Sequence, residues 1–418
     1  MNILIKSATI IDSKSEFHNT TQDLLIENGV ITKISRSIKN PENYKEIKLD
    51  NLHISQGWFD SSVSFGEPGY EERETIENGL KTAAYSGFTS VAVNSNTNPI
   101  IDSNSNITFL NSKANNNAVS LLPIGALTIG SKGEYLAELY DMSTAGAVAF
   151  YDYKKPISNP NLMKIALQYA SNFDGLVCSF PQENKISGQG VMNENITSTR
   201  LGLKGIPALA EELQVARDLF LLEYTGGKLH ISTISTATSV ALIREAKKKK
   251  LNITCSVAIH NLYFTDDVLT DFNTNYKVLP PLRTQSDIDA LIEAVKDGTI
   301  DMVTTDHNPI DIEEKKIEFD HANYGTIGLE SAFGALQKIF TTKKTIDVLT
   351  KGKIRFGLEH SPINIGSSAN MTLFNPDTKY TFSKKYMVSR SKNSIFENES
   401  LKGKAYGIIA NNQVVFNS

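Results

Sequence analysis

The chain has 418 residues, 40% of them hydrophobic and 21% charged, with a formal net charge of −4, the profile of a folded protein with a large core. A pI near 6.0 argues against a nucleic-acid-binding surface, which needs a concentrated basic patch. No apolar run approaches the about 18 residues of a membrane-spanning helix. The first residues lack a basic segment followed by a long apolar one, so a cytoplasmic protein is expected.

Residues 1 to about 53 read as short strands, with Asn28-Gly29 marking a hairpin turn between Glu27 and Val30. The strand from His53 to Phe59 opens a different pattern, in which short apolar runs alternate with helix-like segments. The runs are Thr89 to Val93, Ala118 to Leu122, Ala147 to Phe150, Gly175 to Ser179, Lys228 to Ser232, Ile253 to Val257 and Ile300 to Thr304. With the first strand they make eight. A helix is expected from Ile206 to Leu222 with Pro207 just inside its start. Lys247 to Lys250 close another, where cations offset the dipole. Cys178 and Cys255, the only two cysteines, lie in apolar strand-like segments and read as buried free thiols. After Met371 the chain returns to short strands. The pattern predicts an α/β fold: a (β/α)8 TIM barrel over residues 54–366, and a small β-sandwich domain from residues 1–53 together with 367–418. A doubly wound open sheet is the alternative, and the chain lacks the glycine-rich turn that often marks one.

The run Phe59-Asp60-Ser61-Ser62-Val63-Ser64-Phe65-Gly66-Glu67-Pro68-Gly69 resembles the metal-binding entry motif of the cyclic amidohydrolases. Further segments resemble dihydroorotase, in family order from about residue 50 to 335. They are Asn96-Thr97-Asn98-Pro99, Gly190 to Glu194, Leu201 to Ala208, Lys277 to Arg283, Thr305-Asp306-His307-Asn308-Pro309 and Gly328-Leu329-Glu330. Dihydroorotase is the zinc amidohydrolase that interconverts carbamoyl aspartate and dihydroorotate in pyrimidine synthesis. The resemblance implies a zinc centre held by four His, a middle acid or carboxylated Lys and a final Asp. Those His positions fall here on Ser62, Ser64, Phe180 and Thr233, and the middle acid on Asp152 or Tyr153. Asp306 stands at the final ligand and general acid/base position. The family Arg that pairs with the substrate carboxylate falls on Gly66, and two further polar contacts fall on Leu279 and Ile310. Asn96, Tyr324 and Gly325 stand at retained substrate-binding positions.

A catalytic zinc needs about three His, carboxylate or thiolate ligands, and hydroxyls are poor substitutes. Zinc lowers the pKa of its water from about 15.7 to about 7, an effect worth on the order of 10 kcal/mol. The expectation is therefore a cofactor-free, catalytically inactive dihydroorotase-like protein, homo-oligomeric, with a structural or regulatory role. The resemblance suggests aspartate carbamoyltransferase as its partner. The alternatives are an active dihydroorotase with a metal centre rebuilt on Asp306 and Asp152, a small-molecule binding protein, and a serine hydrolase using Ser62 or Ser64 with His307 or His260.

Overall fold

The computed structural model describes residues 1–41 and 43–417. Eight parallel strands follow one another in chain order: Trp58–Val63, Phe88–Val93, Ser120–Gly125, Ala149–Phe150, Leu176–Ser179, Lys228–Ile231, Ile253–Ala258 and Met302–Thr304. Parallel neighbours need long crossovers, and helices such as Ile76–Tyr85, Pro160–Ser171, Ala237–Lys248 and Gln285–Asp297 supply them. Every residue of Phe88–Val93 is buried, as expected of a strand covered on both faces. The strand order never reverses, which excludes a doubly wound sheet.

The first and last strands meet through Asp60, which is 1% exposed. Its carboxylate accepts the Thr305 and Ser62 N–H groups, each at 3.0 Å, and the Thr304 hydroxyl. Beyond it, Ser64 N–H donates to the His307 carbonyl at 2.7 Å. The result is a nearly closed barrel. Burial pushes the Asp60 carboxyl up to about 6.

The expected strand from His53 to Phe59 divides in two. His53–Gln56 pairs with Ile3–Ile10 and Met371–Thr381, and Trp58–Val63 enters the barrel. Gly57 makes the crossing, and a Cβ there would lie 2.1 Å from Thr89 Oγ1 and 2.2 Å from Asn370 Oδ1. The helix expected from Ile206 begins at Ala208, because Ile206 pairs with Asn193 and Pro207 serves as the N-cap.

The two chain ends combine as expected, but in one hydrogen-bonded sheet where a two-sheet sandwich was expected. Its order is Gln413–Phe416, Ser400–Ala410, Met371–Thr381, His53–Gln56, Ile3–Ile10, Thr21–Glu27 and Val30–Ser35, with Lys45–Ile47 beside Ile3–Ile10. A continuous sheet forms because the central strands are shared: Ile3–Ile10 pairs at different points with Thr21–Glu27, Lys45–Ile47 and His53–Gln56. Asn28 and Gly29 both have positive φ, 52° and 78°, as a tight hairpin turn demands. Between its strands the C-terminal part returns over the barrel. Asn393 Nδ2 donates to the carbonyls of Asn308 and Gly325, its Oδ1 accepts Ile310 N–H, and Ile395 N–H reaches Thr326 Oγ1 at 2.8 Å.

Cys178 and Cys255 are buried and free. Among the described residues no helix is long and apolar enough to cross a membrane. Truncating Asp60 to Ala would leave two buried N–H groups unpaired, while the Thr304 hydroxyl keeps the Ser62 carbonyl at 3.2 Å, so Asp60→Ala is expected to lose roughly 3 kcal/mol of stability. Urea unfolding measures it, and an unchanged midpoint would show that the seam is held by other contacts.

Candidate functional site

In a barrel of this kind the strand C-terminal ends form the site. Here they bring together Ser62 and Ser64 from the first strand's end, Asn94 from the second, Tyr153 and Lys154 from the fourth and Asp306 from the eighth. Asp306 is 1% exposed. Its Oδ2 lies 2.7 Å from Lys154 Nζ, and the two side chains are 2% and 10% exposed. Its Oδ1 accepts the Tyr153 hydroxyl at 3.0 Å and the Ser62 hydroxyl at 3.4 Å. Asn94 Nδ2 donates to the Ser62 and Ser64 hydroxyls at 3.1 and 3.3 Å. Lys154, Thr233 and Asp306 have φ of 54°, 54° and 48°. Such left-handed backbone is uncommon outside glycine and concentrates at functional sites.

Burial and the Asp306 charge push the Tyr153 phenol far above its usual range, so it remains a donor. Burial holds the His260 and His307 imidazoles down, to about 3 each. Both are neutral at physiological pH. His307 Nδ1 accepts the N–H groups of Gly328 and Leu329 at 3.1 and 3.4 Å, so it is neither an acid/base partner of Asp306 nor a base for a serine. The hydroxyls of Ser62 and Ser64 answer to Asp306 and Asn94 instead, which removes the serine hydrolase alternative.

The alternative of a rebuilt centre joins Asp152 to Asp306. The Asp152 carboxylate is taken by Leu127 N–H at 2.8 Å, Thr128 N–H at 3.0 Å and the Thr128 hydroxyl. It anchors the loop after the third strand. Among the described residues no group of three or more His, Cys, Asp or Glu is arranged to hold a metal ion. Around Asp306 stand hydroxyls, an amide and an ammonium, a set that does not fit zinc.

Phe180 and Leu279 are buried at 2% and 8% exposure in one cluster with Phe59, Tyr151, Tyr153 and Ile206. Ile310 is buried outside that cluster. At Gly66 a Cβ would lie 1.8 Å from the Tyr70 carbonyl oxygen, so this loop is shaped for a residue without a side chain.

A segment around residues 311–325 covers the mouth. Tyr324 packs beside the apolar cluster, and its hydroxyl donates to the Gly190 carbonyl at 3.1 Å. Gly325 N–H is taken by the Lys277 carbonyl. Lys277 Nζ donates to the carbonyls of Phe319 and Asp320, and Lys315 Nζ to that of Thr274. Burial pushes these ammonium groups down to about 8 and about 7. Asn96 Oδ1, Asn94 Oδ1, Thr233 Oγ1, His260 Nε2 and His307 Nε2 are buried without a partner. Folded proteins leave few such atoms, and all five belong to residues at strand ends on this face. A cleft of about 830 Å³ reaches Thr254 and Met302, at the opposite ends of the strands, and shares no residue with this set.

Lys154, Asn94 and the buried lysines were not singled out from sequence. For Lys154 a signal existed: it is a cation in the turn where the family resemblance places a ligand.

The dihydro-orotase-like family model matches residues 53–239. The dihydroorotase of Geobacter metallireducens is 37% identical over 423 residues, covering 100% of both chains. That of Pelotomaculum thermopropionicum is 40% identical over 425 residues, covering 99% of this chain and 98% of its own. The chain belongs to the dihydroorotase-like family. Its fold is that of the L-hydantoinase (dihydropyrimidinase) from Arthrobacter aurescens, with a TM-score of 0.86 at 19% identity over 99% of this chain and 96% of that one. Dihydropyrimidinase from Brevibacillus agri gives a TM-score of 0.84 at 19% identity, covering 100% and 95%.

These findings overturn the expectation of a catalytically inactive supporting protein. Full-length relatives at this identity bear an enzyme's name, and they point to a cyclic amidohydrolase. The expectation rested on counting metal ligands, and the full-length relatives speak against it.

His260 provides a test of the buried mouth. Its folded pKa lies below the unfolded value of about 6.5, so the unfolded chain binds the extra proton and stability falls as pH drops from 6.5 toward about 3. Between pH 6.5 and 4 the parent protein is expected to lose about 1.4 kcal/mol per pH unit more than His260→Gln. Parallel slopes in urea titrations would show that this imidazole is not buried.

Proposed function

We propose that this protein opens or closes a cyclic amide C–N bond of the dihydroorotate and carbamoyl aspartate class, at the C-terminal mouth of the barrel. The observation that carries this reading is similarity of 37 to 40% over essentially the whole chain to proteins named dihydroorotase. The mouth agrees with it, since Asp306 is kept there as a buried, fully engaged carboxylate.

In this reading Asp306 takes a proton from the attacking water and returns it to the leaving amide nitrogen. A positioned carboxylate can do this in both directions. Tyr153, held protonated, donates to that carboxylate and orients it. Asn96 supplies a buried acceptor for a ring N–H through its unpartnered Oδ1, and Tyr324 closes the mouth above the ring. Gly325 contributes through its position, because its N–H is already used by Lys277. The family positions of the zinc ligands carry Ser62, Ser64, Phe180 and Thr233, and no step is assigned to a metal.

Ring opening of dihydroorotate and cyclisation of carbamoyl aspartate, followed by ultraviolet absorbance, test the proposal. Turnover above buffer is expected, with kcat/KM lowered about 10²- to 10⁴-fold in Asp306→Asn. Folded protein without turnover in either direction would sink it.

A further inference from the structure

We propose that Lys154 is the resident cation of the site: its ammonium balances Asp306 from within the chain, and the protein folds and binds its ligand without a metal ion. The inference concerns the site of the proposed reaction and rests on that placement, but its test does not depend on turnover.

The position of the two residues is the first argument. Asp306 follows the eighth strand and Lys154 follows the fourth. In a ring of eight strands these lie on opposite sides, so the lysine stem must reach across the mouth to place Nζ 2.7 Å from Oδ2. A side chain in that place takes up the middle of the site. The stem passes beside the Tyr153 ring, whose centroid is 5.1 Å from Nζ.

Charge is the second. A buried carboxylate needs a cation or several donors. Asp306 has both, since Lys154 meets one oxygen and Tyr153 and Ser62 meet the other. A divalent ion at that carboxylate would stand within a few ångströms of an ammonium, and like charges at such range repel strongly away from bulk water. The neighbours are the hydroxyls of Ser62, Ser64 and Tyr153 and the amide of Asn94, and no trio of metal-ligating side chains exists among the described residues.

The third argument is the backbone. Lys154 holds φ 54°, a conformation that is costly for a long side chain. Such a conformation persists where surrounding contacts over-determine it: Lys154 Nζ pairs with Asp306 and lies over the Tyr153 ring, and its backbone N–H donates to the Tyr151 hydroxyl. An ammonium is also a point charge, suited to one oxygen of a carboxylate without bidentate geometry. It therefore offers an anionic cyclic amide the positive charge that Gly66 cannot.

The test uses the full chain, purified without added metal. Elemental analysis is expected to find less than about a tenth of an equivalent of transition metal, and thermal unfolding is expected to be unmoved by EDTA or by added zinc. A double-mutant cycle then reads the pair directly. Lys154→Met and Asp306→Asn are each expected to lower the melting temperature, and the double variant by clearly less than their sum. Should Lys154→Met fail to fold, Lys154→Gln takes its place in the cycle. Stoichiometric zinc that Asp306→Asn releases, or strictly additive effects, would overturn the proposal. The two proposals separate cleanly. A coupled, metal-free pair without turnover leaves the resident cation standing and removes the reaction, and turnover that appears only with zinc does the reverse.

Discussion

The closure at Asp60 is the constraint on which the site depends. A carboxylate buried between the first and last strands accepts hydrogen bonds from both. Its backbone neighbours then fall into place: two residues on, Ser62 points its hydroxyl at Asp306, and Ser64 N–H locks to the residue after Asp306. Without this tie the two halves of the site would belong to strands free to slide past each other. The cost is a carboxyl held in poor solvation, visible in its raised pKa. Three hydrogen bonds offset that cost.

The mouth itself is built on exchange. Where a metalloenzyme would gather imidazoles, this chain sets hydroxyls and an amide in a chain of hydrogen bonds from Asn94 through Ser62 to Asp306. Phe180 and Leu279 add buried apolar surface beside Tyr153, and the neutral His307 takes backbone N–H groups on Nδ1. The substitutions are coordinated, so the carboxylate that persists is not left bare. The loop at Gly66 shows the same coordination on the backbone, since it closes against the Tyr70 carbonyl in space a side chain would need.

Much of the fold was legible because its signals are local. Alternating apolar runs marked all eight barrel strands, and Asn28-Gly29 marked its hairpin. The division of His53 to Phe59 was not legible, because Gly57 breaks the strand through a close approach to Thr89 and Asn370, residues distant in sequence. The continuous terminal sheet was hidden for a similar reason, since its central pairings join residues more than 300 positions apart. At the site, motif order located Asp306, Ser62 and Ser64. The partners of Asp306 came from elsewhere: an ion pair across a barrel has no spacing that a linear reading can detect. Asp152 stayed open as a ligand in the alternative reading, because a lone acid in the right turn looks like one until its hydrogen bonds are seen.

The return of the C-terminal part over the barrel has a consequence for synthesis. The last barrel strand ends at Thr304, yet the loop that follows is pinned by Asn393 and Ile395. When the final strand has been synthesised, the mouth therefore cannot yet set, and neither can the core, since Trp58 still lacks Phe333 and Phe374. About ninety more residues must emerge before Asn393 can fasten the carbonyls of Asn308 and Gly325. A chain interrupted before Asn393 would lack the side chain that fastens its entrance.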